Sequence, residues 1–300
     1  MAYTIEASTD SALTLDACID ALGAIDGVWR RDRIDDAALL LRQLSNDRRF
    51  LVDAVTRELL HLDDIDGFQA ASSFSQQIVD LGGGAGFRLR ANMWPQCTSA
   101  EPLEWEKSLF AYHMPHDHNA DFLTVGYWGP GYETEIYEYD SDRTAGFDGE
   151  PVELTFLERT RLTPGKVMFY RANRDIHTQL PSDAFSVSIN LLAADPESLQ
   201  SARQYWFDVE NGRIDRSVDR LDYTPYVFLC RLASHLGDGN TTDAMESIAR
   251  GHVDPRVRGE AYRALSTLDA RDAGRHWRHA ASDTDAYVRR MGREMLADAE

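Results

Sequence analysis

A chain of 300 residues, 43% of them hydrophobic, can bury one substantial core and a second smaller one, so it is expected to fold. The excess of 50 acidic over 31 basic residues gives a net charge of -19, which argues against nucleic acid and anionic lipid as partners. The start lacks a cationic region, and no stretch reaches the roughly 18 apolar residues of a membrane span, so a cytoplasmic protein with no membrane partner is expected. Cys18, Cys97 and Cys230 are odd in number and far apart, which predicts reduced thiols used in packing.

In chain order, the apolar residues from Ser11 to about Leu62 recur at helical spacing, as in AALLLRQL and RRFLVDAVTRELLHL. They predict a helical segment over residues 1–62. Short β segments then follow in SFSQQIVDLGGGAGFRLRANMW, FLTVGYW, YETEIYEYD, VELTFLERTRLT, KVMFYRAN, FSVSINLLA and RQYWFDVENGR, separated by Gly, Pro, Asp and Asn. They predict a sandwich or barrel over residues 63–213. LGGGAG has neither a GxGxxG register nor a following Lys-Ser/Thr, so it reads as a turn and not a nucleotide cradle. From residue 217 to 300 the pattern is helical and repeats: DPRVRGEAYRAL from Asp254 and DAYVRRMGREML from Asp285 superpose, matching Val257 with Val288, Arg258 with Arg289 and Leu265 with Leu296. This resembles a pair of HEAT-type repeats, too few for a free solenoid, and so expected to dock on the β body or to mediate a protein partner or self-association.

Chemistry is concentrated in HMPHDHNADFLTVGYWGPGYETEIYEYD. In extended chain His116 and His118 share one face while Asp117 faces away, which forms a two-point metal claw. His113 has the opposite parity and reads as a surface or outer residue. The expected third ligand is His177, because a Pro-Gly turn followed by a strand can return it across a barrel. The remaining histidines lie in the helical ends. Tyr127, Trp128, Tyr132, Tyr137 and Tyr139 either line a pocket with hydroxyl donors or, the favoured reading, fill the core, and Glu133 with Glu135 reads as an exposed acidic edge.

PHDHNADFLTVGYWGPGYETEIY, with LTPGKVMFY and His177, resembles the two motifs of the cupin superfamily, and more narrowly the cysteine dioxygenase-like thiol dioxygenases. The resemblance covers roughly residues 74–192. It implies an α+β chain built on a cupin-type β-barrel (double-stranded β-helix), with Fe(II) held by His116, His118 and His177 and no carboxylate ligand. It also implies Gln76 as the anchor of a substrate carboxylate. The family's Ser-x-His-x-Tyr series is matched here only at Ser188, with Asn190 and Leu192 in the other places, and the insert PQCTSAEPLEWEKSLFAYHM precedes the first motif.

Three neutral imidazoles leave a divalent iron its charge and open positions, which favours a small anionic substrate beside O2 without 2-oxoglutarate. Arg88 or Arg90, or Arg171 and Arg174, could add a charged clamp, and Tyr170 is the preferred functional phenol beside Ser188 and Asn190. The expected activity is oxidation of a small carboxylate-bearing thiol or amino-acid-derived compound, with free cysteine a poor substrate. The alternatives are a sensory metal-binding cupin acting through its helical tail, and a Zn or Ni isomerase or hydrolase.

Overall fold

The structure, a computed structural model, describes residues 3–60, 77–99, 101–194, 203–218, 224–237 and 239–298. The chain is α+β and forms two compact units, Met1–Tyr139 with Glu153–Glu210 and Asp140–Val152 with Asn211–Glu300. The N-terminal helices thus belong with the β body, and the loop Asp140–Val152 belongs with the C-terminal helices. Among the described residues no helix is long and apolar enough to cross a membrane.

The first unit opens with β1 (Tyr3–Ile5), α1 (Leu15–Gly23), α2 (Ile34–Asn46) and α3 (Phe50–Leu60). Thr14 caps α1 by accepting from the Ala17 N–H, and Asp35 with Asp36 complements the positive end of α2. In α2 the buried Ile34, Ala37, Ala38, Leu41 and Leu44 recur every three or four residues, giving one apolar stripe. That stripe packs on a sheet.

The sheet has six antiparallel strands in the order β1-β7-β4-β9-β3-β2, with β2 Ile78–Gly84, β3 Phe87–Trp94, β4 Phe122–Trp128, β7 Val167–Tyr170 and β9 Ser186–Ala193. Alternation assigns its two faces. Leu89, Ala91, Leu123, Val125, Ile189 and Leu191 enter one core with the helices. The intervening positions, including Trp94, Phe122, Met168 and Tyr170, enter a second, aromatic core with Tyr132 and Ile136. A smaller sheet, β6-β5-β8, contributes to that second core through β5 (Glu133–Glu138), flanked by β6 (Thr155–Arg161) and β8 (Asp175–Gln179). Gly131 joins β4 to β5 at φ 79°, a left-handed conformation, and a Cβ there would collide with the Leu162 carbonyl. The short helix α4 (Glu104–Phe110) lies within the insert, and β10 (Tyr205–Asp208) closes the unit. Sequence patterning anticipated neither β1 nor β8. All five residues of β8 are buried, so it carries no inside-outside alternation.

The aromatic strip divides: Tyr127, Tyr132 and Tyr139 are buried, whereas Trp128 is 59% exposed. Glu133 and Glu135 both pair with Arg159 on the adjacent strand, an exposed ladder of charge. Burial raises the Cys18 thiol to about 12, so this sulfur is packing and not chemistry.

In the second unit, β11 (Arg213–Ser217) bonds to the loop through Ile214 N–H to Glu150 O at 2.9 Å. Among the described residues five helices follow, α5 (Thr224–Leu236), α6 (Gly239–Gly251), α7 (Pro255–Leu268), α8 (Ala273–Ala280) and α9 (Ala286–Ala297). The repeated sequences form α7 and α9, and the likeness extends to their starts. Asp254 caps α7 and Asp285 caps α9. Arg258 donates to the carbonyls of His252 and Val253, and Arg289 donates to those of Asp283 and Thr284, the same offsets in each copy. Val257 and Val288 both enter the helical core.

Candidate metal centre

Residues 115–118 are extended but not part of a regular strand; they lie between β8 and β10. His116 N–H donates to His177 O at 3.1 Å, His177 N–H returns the bond at 2.9 Å, and Phe207 N–H donates to Pro115 O at 2.9 Å. Asp117 therefore points away from its two neighbours, into a buried site. There Oδ2 accepts from the Tyr139 hydroxyl at 2.6 Å and Oδ1 from the Tyr205 N–H at 2.7 Å. Burial still raises its carboxyl to about 7 against those bonds. His113 is exposed, in a left-handed turn at φ 56°.

The imidazoles of His116, His118 and His177 converge. His177 Nε2 lies 3.0 Å from His118 Nε2 and 3.1 Å from His116 Nε2. His116 Nδ1 is 2.8 Å from the Met114 carbonyl, so it carries the proton and leaves the Nε2 lone pair free. Burial, then the neighbouring charges, holds the histidines in the neutral form: His116 falls to about 4, and His118 and His177 lie well below the ordinary imidazole range. In the tautomer that leaves every Nε2 unprotonated, three lone pairs face one another and a cation relieves them, and these residues form a group that can hold a metal ion. The spacing fits one. With metal–nitrogen bonds of about 2.1 Å, such separations subtend about 90–95°, the edge of an octahedral face, whereas tetrahedral ligands would stand about 3.4 Å apart.

With His177 Nε2 given to a metal, Nδ1 must carry the proton and needs an acceptor. The Gln179 amide is 3.2 Å away, and its Oε1 is buried without a partner. Turning the amide over supplies that acceptor and removes the unsatisfied oxygen.

Rings enclose the ligands. Phe122 is stacked on Tyr170 at 4.6 Å and stands 4.7 Å from His118, while Trp206 stands 4.9 Å from His116. The open side is a cavity of about 80 Å³ whose far wall is Arg90, Asn92 and Trp94 on β3 and Asn190 on β9.

Of the residues singled out from sequence, the three histidines, Arg90 and Asn190 meet at this cavity. Arg88 points to solvent and pairs with Asp80, Arg174 pairs with Glu138 at 2.6 Å, and Arg171 pairs with Asp175. Gln76 lies outside the described residues; Gln77 beside it lines the cavity. The Tyr170 ring flanks His177 at 4.8 Å, but its hydroxyl is turned to Met168 Sδ. Ser188 Oγ accepts from Trp94 Nε1 at 3.0 Å, behind the wall. Sequence reading missed Asn92, Trp94 and Gln179. Alternation along FRLRANMW could have found the first two, since Arg90, Asn92 and Trp94 share a face. Tyr132, expected as core filling, also lines the cavity, 4.3 Å from Trp94.

No family model and no curated protein matches the sequence. Solved structures of cupin-fold proteins share a weak likeness. A DMSP lyase, DddQ, from Ruegeria pomeroyi is 13% identical over 42% of this chain and 52% of its own, with a TM-score of 0.25. A sugar phosphate isomerase from a cupin superfamily, from Silicibacter pomeroyi, is 12% identical over 44% and 64%, with a TM-score of 0.26. A salicylate 1,2-dioxygenase variant from Pseudoaminobacter salicylatoxidans is 12% identical over 53% and 37%, with a TM-score of 0.29. The chain thus spans less than two thirds of each. Likenesses this weak carry no functional argument, which rests on the site itself.

Proposed function

We propose that the first unit is a cupin-type, mononuclear non-haem Fe(II) oxygenase that oxidises a small carboxylate-bearing thiol or amino-acid-derived substrate with O2, without 2-oxoglutarate. The observation that carries this reading is the cluster of three imidazoles, with His177 Nε2 3.0 Å from His118 Nε2 and 3.1 Å from His116 Nε2, opening on a cavity lined by the buried Arg90 Nε. Bound iron would supply the one-electron chemistry that dioxygen requires. The chain's own residues bind and orient. Arg90 attracts an anionic substrate, and Asn190 stands beside it as its cross-strand neighbour. Phe122 and Tyr170 keep water from the ligands, and Gln179 fixes the proton on His177 Nδ1. An anion held by Arg90 and Asn190 would stand beside the site that the three histidines form, so its encounter with a bound ion would be intramolecular.

The test is metal analysis of the purified protein, then oxygen uptake by the iron-loaded form with cysteine, 3-mercaptopropionate and a panel of amino acids. Stoichiometric iron and uptake with a carboxylate-bearing compound other than cysteine are expected. Efficient turnover of cysteine alone contradicts the substrate assignment. A second reading, a sensory cupin acting through its helical tail, draws on one observation: among the described lining residues no carboxyl, thiol or amine faces the cavity as an acid or base. Stoichiometric iron with no oxygen uptake from any compound would favour it.

A further inference from the structure

Two polar atoms at the far wall of the cavity are buried and have no hydrogen-bond partner among the described residues: Arg90 Nε and Asn92 Oδ1. They occupy alternate positions of β3 and so point to the same side of the sheet. Burial disfavours the Arg90 charge, and Tyr132 is its one ionisable neighbour acting the other way; no carboxylate among the described residues pairs with it. A third group has a fixed direction. Asn190, paired with Arg90 across β3 and β9, has its Oδ1 occupied by the hydroxyls of Thr124 at 2.7 Å and Ser188 at 3.3 Å. Its NH2 is therefore the end left for the cavity.

Buried polar groups without partners are rare and costly, and two side by side in one cavity mark a place that a ligand completes. Arg90 and the Asn190 amide can only donate to it. With the Asn92 amide oriented as it stands, its oxygen is the buried end and can only accept. A simple carboxylate satisfies the first pair and leaves Asn92 unsatisfied, since it has no proton to give.

We infer that Asn92 is a specificity-determining residue, selecting a small organic anion that carries a hydrogen-bond donor of its own, a hydroxyl or an ammonium group, beside the anionic end held by Arg90 and Asn190. The inference deepens the oxygenase reading, on which it rests for the cavity being a substrate site. Size agrees. A cavity of about 80 Å³ has room for about five to eight water-sized groups, as in a three-carbon hydroxy or amino acid.

The experiment is calorimetric titration of the full-length protein under argon, where no turnover occurs, with propionate, 3-hydroxypropionate and β-alanine. The wild type binds at least one of the last two about tenfold more tightly than propionate, the worth of one buried hydrogen bond. The hydroxy and amino probes distinguish the two kinds of donor. In Asn92→Leu, which keeps the volume but removes the carbonyl, the preference collapses while propionate is still bound. Asn92→Ser, which restores an acceptor, recovers part of the preference, and Arg90→Met weakens all three probes. Equal binding of the three probes by the wild type, a preference that survives in Asn92→Leu, or binding of none of them overturns the inference. Iron content and oxygen uptake in the same preparations separate the two claims. Protein that binds iron and consumes oxygen but does not discriminate sinks this inference alone, and protein that discriminates without binding iron sinks the oxygenase reading alone.

Discussion

The two units arrange their buried polar groups differently. In the helical unit, Arg258 spends its guanidinium on two loop carbonyls and on Asp283 at 2.8 Å, and Asp254 and Asp285 close the starts of α7 and α9. The carbonyls and the capping acids come from nearby in sequence and recur in both copies, while Asp283 reaches Arg258 from 25 residues away. In the β unit, Arg90, Asn92, three histidines and Gln179 are gathered from distant segments and turned toward a cavity, some with no partner at all. The helical unit also buries an atom without a hydrogen-bond partner, His276 Nε2, so what sets the first unit apart is that Arg90 Nε, Asn92 Oδ1 and Gln179 Oε1 belong to residues lining one cavity beside three imidazoles.

The sharpest way to break that comparison is to remove a histidine. His116→Ala, His118→Ala and His177→Ala are each expected to lower metal affinity by more than about a hundredfold, with the far-ultraviolet circular dichroism unchanged, because a ligand outweighs an outer partner. Metal retained at full occupancy in all three would refute the site. Gln179→Leu comes next: losing the acceptor for His177 Nδ1 is expected to cost about ten- to a hundredfold in metal affinity, with partial recovery in Gln179→Glu.

In the helical unit the expected effects fall on stability and leave metal content alone. Arg258→Ala strands the Asp283 carboxylate and is expected to cost about 3 kcal/mol, read from chemical denaturation. Arg289→Ala, which loses only bonds to carbonyls, is expected to cost about 1–2 kcal/mol. Burial pushes the Asp283 carboxyl up, but hydrogen bonds from Arg258 and the Asp285 N–H outweigh it and leave it below the usual range. A depressed folded-state value means that this contribution is complete above the unfolded value of about 3.9 and is lost as pH falls through the folded one. The Arg258→Ala penalty should therefore hold from pH 7 to pH 5 and shrink below about pH 4. The smallest effect belongs to Ser188→Ala, about 1 kcal/mol from losing the bond accepted from Trp94 and the longer one donated to Asn190.

The sequence made some of this visible for physical reasons. His116 and His118 stand two apart, and extended chain brings such positions to one side without any tertiary knowledge. The helical echo was legible because each copy keeps its capping Asp and its Arg at fixed offsets. Strand β8 was not legible, since Asp175, His177 and Gln179 are polar yet wholly inside. Asn92 and Gln179 escaped notice because carboxamides are weak metal ligands, and their importance appears only where the fold leaves them beside a cavity. Arg88 and Arg90 look alike in FRLRANMW and share a strand face; their place along β3 separates them, Arg88 beside the glycine-rich end where it pairs with Asp80 and Arg90 two residues further in at the cavity.

Asp117 separates the two leading histidines and is itself tied to Tyr139 and to the backbone of Tyr205. Those bonds hold the His-x-His stretch in shape whether or not an ion is present. Metal loading then requires no refolding of the chain, unlike small domains that assemble around their ion. Chelation and reloading should be fully reversible at room temperature, leaving the protein's backbone spectrum the same throughout the cycle.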